Sequence, residues 1–120
     1  MRSPNIPPAL QRRYDNLKAL DDAYELLDSI SRKGEKAGPE AQFVSGRVEV
    51  LERELEESEA EVMQLIDLLH NDPMAWTAAR LHFFQGYEWP YVAVVIGRSE
   101  ATVKSRVYRR IRELMPQSVE

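Results

Sequence analysis

Ala93 and Gly97 stand four residues apart, and a hydroxyl-bearing residue, Ser99, follows two positions later. A small side chain lets a second helix cross closely, and a glycine takes the left-handed backbone of a tight turn without a Cβ clash. Ser99 is placed to cap a new helix, because its hydroxyl can accept from the free N–H groups of the next turn. Upstream, Pro90 suits the start of a helix, where its missing N–H would have no partner anyway. Val92, Ala93 and Ile96 fall on one face at helical spacing. The stretch from Trp89 to Leu114 therefore predicts a short apolar helix, a glycine turn and a second helix beginning at Glu100, which is the layout of a helix-turn-helix.

At about 100° per residue, Val103, Val107 and Leu114 point to one side of the second helix, with Ile111 at the margin. Ala101, Ser105, Tyr108, Arg109 and Arg112 point to the other, and Thr102, Lys104 and Arg106 lie on the flanks. Small and polar residues come early, where a recognition helix meets base edges, and arginines come late, where it crosses the phosphate backbone. The expected partner is double-stranded DNA. Glu100, Ala101, Ser105 and Tyr108 are expected to face bases, and Ser99, Thr102, Lys104, Arg106, Arg109 and Arg112 to face phosphates.

Ile96-Gly97-Arg98-Ser99 followed by Thr102-Val103-Lys104-Ser105-Arg106-Val107 resembles the C-terminal, promoter-reading region of bacterial sigma factors, region 4. The segment from Asp72 to Trp89 fits the preceding helix of that family and its glycine-containing turn, so the resemblance covers roughly the last 50 residues. Two positions depart from the pattern. Arg98 replaces an apolar residue, and Arg110 stands where alanine often faces the core. The first 70 residues do not resemble the sigma region that melts promoters, and the whole chain looks most like small phage-encoded transcriptional activators of late genes. The resemblance implies a regulator that acts at promoters and contacts RNA polymerase.

The formal charge of −4 is unusual for a DNA binder until it is divided along the chain. Residues 71–120 carry 7 Lys/Arg against 5 Asp/Glu, whereas residues 1–70 carry 9 against 15. The local field of the contacting face governs association more than net charge does. A basic head on an acidic stalk is the organisation expected, with domains at 1–70 and 71–120.

The fold class expected is all-α, a helical hairpin or coiled coil followed by a three-helix head. From Ala9 to about Lys33, Leu10, Tyr14, Leu17, Ala23 or Tyr24, Leu27 and Ile30 recur at helical spacing. Residues 33–39 read as a loop and residues 1–8, rich in proline, as extended. A second helix is expected from Pro39 to His70. Along it Val44, Val48, Leu51, Leu55, Ser58, Val62, Leu65 and Leu69 alternate by four and three, a heptad seam with one polar seat. The seam is expected to carry oligomerisation, as a homodimer, or to pack against the first helix. Glu49, Glu52, Glu54, Glu56, Glu57, Glu59 and Glu61 form a solvated outer face. Asp72 and Pro73 cap and open the head's first helix, which runs to Gln85 and ends at Gly86. Trp76, Phe83, Phe84, Tyr87, Trp89 and Tyr91 are expected to fill the head's core.

The chain has no cysteine, so no disulfide or thiolate site forms, and no apolar stretch is long enough to span a bilayer. A soluble cytoplasmic protein without membrane contact is expected. His70 and His82 lack the companions of a metal site, no phosphate-binding or nucleophile motif occurs, and neither cofactor nor enzymatic activity is expected. Two other functions fit the layout: a DNA-recognition subunit of a phage packaging terminase, and a protein-interaction module that binds through its acidic helix.

Overall fold

Periodicity of three and four along nearly the whole chain leaves little other than helix, and every regular element among the described residues is helical. A computed structural model describes residues 6–32 and 38–116. The loop expected at 33–39 falls mostly outside these residues, as do residues 1–5. Among the described residues five α-helices form a long hairpin followed by a small head: α1 Pro8–Arg32, α2 Pro39–Asp67, α3 Pro73–Ala79, α4 Trp89–Ile96 and α5 Glu100–Leu114. No helix of the described residues is long and apolar enough to cross a membrane.

Prolines open four of these helices at or near their first positions, where the missing N–H costs nothing. α2 stops at Asp67, short of His70, in a run of tight turns: Leu68, Leu69 and His70 donate to Leu65, Ile66 and Asp67 at 2.9 to 3.1 Å. The proline at 73 disfavours helical backbone at Asp72, which has φ −124° and ψ 88°. Those turns bring Leu69 inward, fully buried.

The seam of α2 is occupied within the chain. Val44 and Val48 pack with Ala23, Leu20 and Leu27 of α1, and Leu51, Leu55 and Val62 are buried as well. Of the residues expected either to join two chains or to pack on the first helix, Val44 and Val48 meet α1, and Val62 and Leu69 join the core shared with the head. Ala23 faces inward, whereas Tyr24 is exposed. After Val62 the buried position passes to Ile66, and Leu65 is only partly covered. A straight helix drifts about 20° per heptad from a 3.5-residue repeat, and at Val62 the partner changes from α1 to the head. Both effects shift the stripe by one residue.

The expected division at residue 70 is not a division in packing. One core joins Leu10 of α1, Val62, Ile66 and Leu69 at the end of α2, and Phe83, Val92, Val103, Val107 and Ile111 of the head. Arg13 reinforces this junction. Its Nε donates to the Phe84 carbonyl at 2.8 Å and its Nη1 to the Leu55 carbonyl at 3.2 Å, while the guanidinium lies 4.0 Å from the Phe84 ring centroid. One side chain of α1 thus ties α2 to the head.

Candidate nucleic-acid interface

α3 does not continue as a regular α-helix to Gln85. At Arg80–Phe84 it widens into a π-helical turn, with the Gln85 amide bonded to Arg80 O at 3.0 Å. Gly86 then leaves with φ +84°, and a Cβ there would come within 3.2 Å of Leu17. Wide turns of this kind reposition one side chain relative to a regular helix. Here the turn carries His82 into the interior, where its ring stacks on Trp89 at 4.0 Å and on Tyr14 at 4.3 Å. Its Nδ1–H donates to the Tyr87 carbonyl at 2.7 Å. Burial outweighs that bond and drives the imidazole pKa down to about 4.

This stack seats α4 against the hairpin. The Tyr14 hydroxyl donates to Glu88 at 2.7 Å, and Lys18 pairs with the same carboxylate at 2.6 Å. Burial, and then the Glu88 contact, raise the Tyr14 phenol to about 12. Along α4, Trp89, Val92 and Ala93 face inward. Tyr87, Tyr91, Val94 and Val95 face out, Val94 at 77% exposure. Two of the six aromatics expected in the core, Tyr87 and Tyr91, therefore lie on the surface with their rings 4.6 Å apart. The buried residues of α4 claim the opposite side of the helix.

Gly97 ends α4 at φ +82° and ψ 29°, with its amide bonded to Ala93 O at 2.8 Å. A Cβ at Gly97 would meet no atom within 4 Å, so the left-handed backbone alone calls for glycine. Ser99 caps α5 as expected: its Oγ accepts from the Thr102 amide at 3.1 Å and donates to Thr102 Oγ1 at 2.8 Å. Val103, Val107 and Ile111 are fully buried. Leu114, expected in the core, is 43% exposed, because the chain turns extended at Met115 and that side chain closes the core instead.

The outer face of α5 presents Glu100, Ala101, Thr102, Ser105, Arg109 and Arg112 to solvent, with Lys104 half-buried. Ala101, Thr102, Ser105, Arg106 and Arg109 line one open depression, and Glu100, Ala101 and Lys104 line another. Tyr108, expected among the base-facing residues, is less exposed than Ala101 and Ser105. It is half-buried, packed edge-on against Trp89 at 5.9 Å, and burial raises its phenol pKa.

Arg106 and Arg110 are held from below. Asp72 Oδ1 caps the Ala75 amide at 3.2 Å, and Oδ2 accepts from Arg106 Nε at 2.7 Å and Arg110 Nε at 2.8 Å. Burial alone would raise this carboxyl, but the hydrogen bonds from Arg110, Arg106 and Ala75 outweigh it and hold the pKa at about 2. Arg110 also pairs with Glu113 at 2.8 Å, so this arginine, one of the two that depart from the expected pattern, has two acidic partners. The sequence signal for this cluster is two arginines four apart on α5 and a single acid at the start of α3. Asp72 is legible there only as a cap.

Among the described residues no three His, Asp or Glu side chains come together as metal ligands. No protein-family model matches the chain, and neither curated proteins nor solved structures gave a match.

Proposed function

We propose that this chain is a sequence-specific DNA-binding regulator of transcription, sigma-like in its head and of phage or prophage derivation, that acts in the cytoplasm at promoters and contacts RNA polymerase there. The observation that carries the reading is the outer face of α5, where the small residues Ala101 and Ser105 are exposed beside Arg109. A helix entering the major groove needs short side chains where it approaches base edges and cations where it passes phosphates. The hydroxyls of Ser99 and Thr102 sit at the N-terminus of α5, where the helix dipole favours an anion. Pairing of two chains through the α2 seam does not enter the proposal, because Val44 and Val48 of that seam pack on α1 and Val62 and Leu69 on the head.

Gel retardation of duplex DNA by the full chain tests this reading. Arg109→Ala should weaken binding to all sequences and flatten its salt dependence, and Ser105→Ala should change the preference among sequences. Equal loss at every sequence for both variants would remove α5 from the groove.

A protein-interaction module is the second reading, favoured by the exposed Tyr87, Tyr91, Val94 and Val95 on α4 and just before it. Retention of polymerase subunits together with no retardation of any DNA at low salt would replace the first reading by this one.

A further inference from the structure

With His82, Asp72 is one of the two buried polar side chains among the described residues. Both arginines that reach it do so through Nε. A guanidinium bound by Nε has its two terminal nitrogens at the far edge, the edge that matches a phosphate. In Arg110 that edge is engaged, because Nη1 bonds Glu113. In Arg106 the terminal nitrogens have no partner among the described residues, the side chain is 39% exposed, and it borders the depression shared with Ala101, Thr102, Ser105 and Arg109.

We propose that Asp72 is a positioning residue for DNA binding: it fixes the guanidinium of Arg106 so that the two terminal nitrogens face a backbone phosphate at the rim of that depression. This rests on the DNA-binding reading above. A free arginine must give up many side-chain conformations to grip a phosphate, and one already anchored through Nε gives up fewer. Asp72 also brings a negative charge near the DNA, which by itself weakens binding. Preorganisation and long-range repulsion therefore predict opposite signs for removing the charge. Asp72→Asn separates them, because asparagine keeps an oxygen to cap Ala75.

The test is an anisotropy titration of a labelled mixed-sequence duplex with the full chain over a series of salt concentrations, with thermal melts of each variant. Arg106→Ala should lower the slope of log K against log salt by roughly 0.9. Asp72→Asn should weaken binding by roughly three- to tenfold, despite the lost negative charge. In an Arg106→Ala background the same change should leave affinity unchanged or raise it. Arg106→Lys, which keeps the charge and lacks the fork, should fall within roughly twofold of Arg106→Ala. Three results would overturn the proposal: binding by Asp72→Asn as tight as wild type or tighter, an equal loss with and without Arg106, or full retention by Arg106→Lys. Arg109→Ala separates the two levels of inference. If it weakens binding while the Asp72 pattern fails, only the positioning role falls. If the wild-type chain binds no duplex, both readings fall.

Discussion

The imidazole of His82 lies between the rings of Tyr14 and Trp89, 4.3 Å from the first and 4.0 Å from the second. Through this stack the first helix of the hairpin sets the position of the first helix of the helix-turn-helix. The arrangement requires a neutral imidazole, because the site is buried and charging the ring there is unfavourable.

That requirement predicts acid sensitivity. The folded-state pKa of His82 is about 4, below the roughly 6.5 of an unfolded chain. Its contribution is therefore complete above that unfolded value and is lost as pH falls from there to the folded one. The loss should amount to about 3 kcal/mol, read from urea midpoints across the window. His82→Phe should abolish this slope, while costing stability at neutral pH because the Tyr87 carbonyl loses its donor.

Asp72 acts in a lower window. Its carboxyl is held at about 2 against an ordinary 3.8, so its ionic contribution is present above the ordinary value and disappears as pH falls towards 2. Asp72→Asn should remove that second decline and leave the His82 decline intact. Melting curves between pH 2 and pH 4 read it directly.

Arg13 should be the most sensitive polar contact between hairpin and head. Arg13→Ala leaves the Phe84 and Leu55 carbonyls without their donor and removes the cation over the Phe84 ring, a loss of about 2 kcal/mol. Arg13→Lys should recover only part of it. Because Leu10 and Val62 share a core with Val107, far-ultraviolet dichroism and tryptophan fluorescence should follow one common urea transition.

Two glycines should respond with opposite signs to alanine. Gly97→Ala forces a side chain into left-handed backbone and should cost about 1 to 2 kcal/mol. Gly46 lies in the exposed interior of α2, where an added Cβ would meet nothing within 4 Å, and Gly46→Ala should add about 1 kcal/mol. Chemical denaturation of the two variants side by side tests the turn geometry.

What is legible in the sequence follows from what is local. Pro39, Pro73 and Ser99 mark helix starts by backbone chemistry that needs no distant partner, and Gly97 marks its turn for the same reason. Val103 and Val107 follow helical spacing onto the buried face. Leu114 follows it too and fails, because Met115 leaves the helix and closes the core. The π-helical turn at Arg80–Phe84 escapes a reading by spacing, because it depends on where His82 must go between Tyr14 and Trp89. A helical wheel places Tyr108 and Arg106 by angle alone. Their actual settings depend on Trp89 and Asp72, distant in sequence. Val44 and Val48 stand out as an interface, but periodicity does not say whether the partner helix belongs to the same chain.

Whether the outer face of α5 reads DNA sequence is tested most directly by repeated selection of bound fragments from a random duplex library, using the full chain and an Ala101→Glu, Ser105→Glu double variant. A defined sequence enriched by the wild-type chain and not by the variant is the predicted result. No enrichment by the wild-type chain, or the same sequence enriched by both proteins, would contradict it.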